Sequence, residues 1–164
     1  MLFQAPEGFP WLGAIRCFIC NDNWTDPDHP EMTTTDPFIA TVWAPVQIDD
    51  DIFPAHPPVV EFHSGAHYWE DSWVRFDLPQ AIDLRDPTIF PERTFFVGMQ
   101  WLSIYNPVLG YDAEVIPGGR TCNTFSMDWQ CGTESAAMIR AVVSDEDGTS
   151  VEIDSWGRIK AVYE

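Results

Sequence analysis

The sequence predicts an all-β protein, an antiparallel β-sandwich, on three observations. No stretch of ten or more residues carries its apolar positions at helical spacing. Clusters of Pro, Gly, Asn and Asp punctuate the chain every 8–15 residues, the rhythm of short strands joined by turns. Several segments also alternate with a period of two, placing successive side chains on opposite faces of a pleat.

Taken in order, strands are expected over 11–20, 38–46, 58–63, 72–78, 93–102, 120–129, 136–144, 149–154 and 158–163. The run over 11–20 is apolar and strand-like, and its Cys17 and Cys20 face opposite sides. Over 72–78, Val74, Phe76 and Leu78 point one way, while Trp73, Arg75 and Asp77 point the other. That is a strand with one face in a core and one in water. Over 93–102, Phe95, Val97, Met99 and Trp101 share one face, and Phe96, Gly98 and Gln100 the other. Ser144 to Gly148 is a hairpin loop, with Gly148 free to take a positive φ. Residues 21–37 and 47–58 are polar, acidic and Pro-rich, and read as loops at the ends of the sandwich. Nine short strands with long Pro-rich links imply two packed sheets, a jelly roll, with an immunoglobulin-like sandwich as the alternative. At 164 residues the chain makes one domain, residues 1–164.

Composition narrows the function. A net charge of −18, from 26 acidic against 8 basic residues, excludes nucleic-acid binding, because phosphates would be repelled. No apolar run approaches the ~20 residues that span a bilayer, so membrane insertion is not expected. Acid on this scale keeps a chain with eight Trp soluble, and equally suits a saline or calcium-bearing medium. Met1 to Gln4 carry no basic n-region, so the chain reads as a mature form or a domain cut from something larger.

The cysteines are spaced C-x2-C (Cys17, Cys20) and C-x8-C (Cys122, Cys131). The second pair is too wide for a zinc knuckle. Disulfides are the better reading, with Cys122–Cys131 favoured because it closes a short loop, worth roughly 2–3 kcal/mol. Four cysteines allow three pairings, so spacing alone leaves connectivity open.

The second half also carries a pattern. It runs Phe95-Phe96-Val97-Gly98 to Trp101, then Asn106 to Asp112, Gly119-Arg120, Trp129 and Met138 to Val143. Over residues 93–144 the chain resembles an uncharacterised β-sandwich module of large secreted bacterial proteins. Such modules often lie beside proteases and C-terminal sorting or anchoring domains. The resemblance implies a secreted or cell-surface accessory module whose partners are other domains of the same protein, and it brings no catalytic residues. The chain departs from the pattern by placing Cys122 and Cys131 around Trp129.

Candidate chemistry is sparse. No G-x-S-x-G, H-E-x-x-H or phosphate-binding loop is present, so no enzyme is expected. Asp49-Asp50-Asp51 is the acidic run best suited to Ca²⁺, which takes six to eight oxygen ligands; Asp22, Asp26 and Asp28 and the run Asp145 to Asp147 are weaker versions. His63 and His67 flank a Gly turn and lack a third fixed ligand. The aromatics are more informative. Trp73 lies on the polar face of its strand, and Trp24 and Trp69 lie in or beside loops rich in Asn, Asp and His. Exposed Trp beside carboxylates and amides is a surface on which a sugar ring stacks, whereas the plainer reading is a cap on the core. The expectation is a non-catalytic extracellular module for adhesion or scaffolding. Its rivals are a calcium-assisted carbohydrate-binding module and a self-associating surface or filament subunit.

Overall fold

Alternation and turn chemistry resolve into strands throughout. The computed structural model describes residues 1–20, 38–63, 72–101, 108–109, 111–112, 121–124, 129–132, 136–153 and 159–163. In chain order the strands are β1 (Leu2–Gln4), β2 (Trp11–Cys20), β3 (Phe38–Trp43), β4 (Pro45–Ile48), β5 (Asp51–Pro54), β6 (Val60–His63), β7 (Ser72–Asp83) and β8 (Thr94–Trp101). They continue with β9 (Val108–Leu109), β10 (Tyr111–Asp112), β11 (Thr121–Thr124), β12 (Trp129–Gly132), β13 (Ala136–Ala137), β14 (Ile139–Ser144), β15 (Ser150–Ile153) and β16 (Ile159–Tyr163). A 3-10 turn, Pro91–Arg93, enters β8 with Glu92 and Arg93 both at positive φ.

All pairings are antiparallel. One sheet has the order β1-β8-β3-β6 and the other β16-β15-β14-β2-β7, with β9 beside the end of β2. The first eight strands nest: β1 pairs β8, β2 pairs β7, β3 pairs β6 and β4 pairs β5. Strands β14 to β16 then extend the second sheet from the free side of β2.

The two sheets meet over one apolar core. Phe3, Ala40, Val42, Phe95 and Val97 enter it from the first sheet; Leu12, Ile15, Cys17, Ile19, Phe76, Ile139, Ala141, Val143, Val151 and Ile153 enter from the second. Phe3 stacks on Phe95 at 5.6 Å, and Phe62 meets Phe76 across the sheets at 6.2 Å. Each fully buried side chain of this size contributes roughly 1.5–3 kcal/mol, and that burial is what selects the register. A one-residue slip of β2 would put Arg16 and Phe18 in the core in place of Ile15 and Cys17.

The expected faces of 72–78 and of 94–100 recur, with one addition; the side chain of Trp101 and residue Leu102 lie outside what is described. The second face of β8 is covered at its start, where Phe96 is 1% exposed and the Trp43 ring lies over Gly98, and Gln100 is exposed. Other segments differ from expectation. Residues 47–58 are not simply loop, because β4 and β5 form a hairpin whose tip is Asp49-Asp50, with Asp49 at φ 55°. Its acid and proline content masks the alternation, and Pro45 and Pro54 face each other at its open end. The strand expected over 120–129 is divided into β11 and β12, paired with each other. Strand β7 runs on to Asp83 through Pro79. Proline is tolerated there because β7 is the edge of its sheet, and residues 78–81 bulge opposite Gly13.

Candidate functional site

Because Cys17, Val74, Phe76, Ile139 and Ala141 turn inward, their neighbours in sequence must turn outward. The outer face of the second sheet therefore carries Arg16 and Phe18 from β2, Trp73, Arg75 and Asp77 from β7, Arg140 from β14, and Glu152 from β15. Register aligns three of these arginines. Arg140 lies opposite Arg16, and Arg16 opposite Arg75, so guanidinium groups run in a row across β14, β2 and β7. Like charges directly opposite each other in a sheet are destabilising. Three of the eight basic residues of a strongly acidic chain share this one row.

A buried carboxylate offsets part of that cost. Arg16 NH1 donates to Glu152 Oε2 at 2.6 Å, and Arg140 NH1 donates to Glu152 Oε1 at 2.6 Å. The Glu152 side chain is 1% exposed, while those of Arg16 and Arg140 are 23% and 28% exposed. A buried carboxylate with a single partner would be costly, and two guanidiniums satisfy both of its oxygens. Trp73 supplies the other support. The Arg140 guanidinium carbon lies 3.9 Å from the Trp73 ring centroid, and that of Arg16 lies 5.7 Å away. Phe18, register partner of Trp73, meets the indole edge-on at 5.7 Å. One strand, β2, lies between Arg140 and Trp73, so two strand spacings, roughly 10 Å, separate their backbones. The indole therefore lies across β2 toward Arg140. On the far side Arg75 Nε donates to Asp77 Oδ1 at 2.8 Å.

Chemically, this is a surface of guanidiniums held in place by a carboxylate and an indole. Arg140 is fixed through NH1 by Glu152 and through its π-face by Trp73, leaving the rest of its fork available to an acceptor in one plane. Trp73, a candidate sugar-stacking or core-capping residue, lies against Arg140, with its ring under the guanidinium. Trp24 and Trp69 lie outside the described residues.

The remaining expected site residues lie elsewhere. Asp49, Asp50 and Asp51 are exposed on the β4–β5 tip. Among the described residues, no group of three or more His, Cys, Asp or Glu converges to hold a metal ion. Cys122 and Cys131 are register partners on β11 and β12, and Cys122 is disulfide-bonded. Cys17 is a free thiol buried in the core. A second arginine cluster is self-contained. Arg85 donates through Nε and NH2 to Asp83 at 2.8 and 2.7 Å, through NH1 to Glu146, and lies over Trp11 at 4.6 Å. The hydrogen bond from Arg85 holds the Asp83 carboxyl below its usual range. This clip fastens the end of β7 to the β14–β15 hairpin, where Asp145 Oδ1 accepts from the backbone of Asp147 and Thr149 and Gly148 has φ 89°.

Sequence reasoning reached Trp73 but missed Arg16, Arg140 and Glu152. The available signal was local: each is a charged residue between two apolar ones, as in Ile15-Arg16-Cys17, Ile139-Arg140-Ala141 and Val151-Glu152-Ile153. What could not be read is that three such residues meet. The chain matches no protein-family model, no curated protein and no solved structure.

Proposed function

We propose that this chain is a non-catalytic binding module, a jelly-roll sandwich serving adhesion, scaffolding or accessory binding in a larger secreted or surface protein. The observation that carries the reading is the outer face of the second sheet. There, Trp73, Arg140, Arg16 and Glu152 form a preorganised, partly exposed patch in which two guanidiniums share one buried carboxylate and flank an indole. Arginine beside aromatic surface is the composition enriched in binding interfaces. The jelly-roll reading draws support from the nested pairing of the first eight strands. Secretion draws support from the disulfide-bonded state of Cys122, for which Cys131 is the partner by register. Directly opposed residues in an antiparallel ladder have Cα atoms ~4.5–5.5 Å apart, inside the range a disulfide spans.

The test is a glycan and extracellular-protein binding screen with the intact chain, with and without calcium, beside Trp73→Ala. Saturable binding to one ligand, lost in the variant while the far-ultraviolet circular dichroism stays unchanged, is the expected outcome. Turnover of a peptide or glycan by the intact chain would overturn the non-catalytic reading. Peptide mapping without reduction should recover Cys122 joined to Cys131; both as free thiols would remove the support for secretion.

A further inference from the structure

Strand β7 ends the second sheet, and among the described residues no strand pairs with its far side. The ladder fixes which of its backbone groups face that side. Phe18 N–H donates to Met138 O at 2.9 Å, so the even-numbered positions of this part of β2 turn their backbone toward β14. Ile15, Cys17 and Ile19 then turn theirs toward β7, where Phe76, Val74 and Ser72 answer them. By the same alternation Trp73, Arg75 and Asp77 point their N–H and C=O groups away from β2, along the edge. The side chains of Arg75 and Asp77 are 46% and 72% exposed, so both reach solvent beside those groups. Residues 72–77 pair with β2 without a break in register and form a straight length of edge. Such an edge is a template for one more antiparallel strand.

We propose that this edge pairs with the same edge of a second copy of the chain, across a two-fold axis at Phe76, joining the two second sheets into one. Charge chooses both the partner and the register. Arg75 and Asp77 lie two apart on one face of β7. An antiparallel two-fold centred on Phe76 therefore sets Arg75 opposite Asp77 of the second copy, and Asp77 opposite Arg75 of that copy. Both positions turn their backbone to the edge, so each such pair also exchanges two backbone hydrogen bonds. Sliding the copies by two residues either way sets Arg75 against Arg75 or Asp77 against Asp77, and like charges directly opposed are destabilising. Within one chain, Arg75 Nε donates to Asp77 Oδ1 at 2.8 Å, which holds both groups in place on that face. The ladder is also self-limiting. Pro79 lacks an N–H and residues 78–81 bulge opposite Gly13, so pairing stops there and the contact closes as a dimer. A contact this short belongs to the weak, transient class. The inference is independent of the binding-module reading, since it uses the edge of β7 and not the patch around Arg140.

The experiment is sedimentation equilibrium of the intact chain from about 5 µM to about 0.5 mM, in ~0.15 M NaCl to screen repulsion between two chains of charge −18. A mass that rises with concentration toward twice that of one chain is expected. Arg75→Asp alone, or Asp77→Arg alone, sets like charges opposite each other at both pairs and should weaken association at least about tenfold. An equimolar mixture of these two variants brings opposite charges back to both pairs, and should associate about as tightly as the natural chain. Hydrogen exchange needs no variant, so it decides the matter even if a substitution unfolds the chain. The amides of Arg75 and Asp77 should gain protection as the natural chain is concentrated. A mass independent of concentration overturns the proposal. Association that both single changes leave intact overturns it too, by locating the contact on another surface. A mixture no tighter than either variant alone overturns the register, and equal exchange of the two amides at both ends of the range overturns the edge.

Discussion

At the scale of single residues, Cys17 shows how burial sets chemistry. The thiol lies in the core, and burial pushes its pKa up to about 12, outweighing the opposing pull of the nearby Met1 amino group. An unfolded thiol ionises near ~8.5. The native state therefore keeps a proton that the unfolded chain releases, and the contribution is intact below pH ~8.5 and lost as pH rises toward 12. Comparing urea midpoints of the natural chain and Cys17→Val between pH 7 and 10.5 should show the natural chain losing ground steadily. Parallel curves would mean that Cys17 ionises as freely in the fold as out of it. The same burial protects the thiol from alkylation: iodoacetamide should label Cys17 only in urea. The inward direction of this side chain was readable from the alternation of β2. Its ionisation was not, because the groups that bury it come from distant strands.

At the scale of elements, β8 shows what alternation alone leaves out. Phe96, Gly98 and Gln100 were read as the face opposite Phe95 and Val97; that face is covered at its start, by the burial of Phe96 and the Trp43 ring over Gly98, and opens at Gln100. Gly98 is required for a packing reason rather than for its backbone freedom. A Cβ there would stand 2.9 Å and 3.2 Å from two carbons of the Trp43 ring, itself 8% exposed. Since β3 pairs β8 with Trp43 opposite Phe96, the indole lies diagonally over Gly98. Gly98→Ala should cost about 1–3 kcal/mol by chemical denaturation. Adding Trp43→Phe should return part of that loss, so that the two changes are less than additive. Full additivity would show that the ring does not press on position 98. The β4–β5 hairpin makes a complementary point. Acid and proline obscured its alternation, and pairing against its partner strand was needed to expose it.

At the scale of the whole molecule, a charge of −18 pervades the fold. Self-repulsion among exposed carboxylates opposes compaction and is screened over about 10 Å at ~0.1 M salt. The thermal midpoint should rise as NaCl is raised from ~0.02 to ~0.5 M, and calcium and magnesium should act alike at matched ionic strength. A midpoint indifferent to NaCl would mean the acids are already neutralised locally; a calcium-specific rise would restore a calcium role for the acidic segments. Against this background the arginine row gathers three of the chain's eight basic residues on one face of a sheet. It joins strands far apart in sequence, with Arg16 and Glu152 separated by 136 positions.

Local alternation was enough to assign the class and many of the faces, because a period of two is a property of neighbouring residues and survives in any sheet they join. It placed Trp73 and Arg75 outward and Phe76 inward without knowledge of a partner. Which strands became neighbours was a matter for the assembled sheets. The burial of Ile15, Cys17, Ile139 and Ala141 in one core chose the β14-β2-β7 order and its register. That choice alone brought Arg140, Arg16 and Arg75 into line and set Glu152 beneath two of them. The candidate site exists only at that level, since each of its residues is an ordinary outward-facing position until the ladder is drawn.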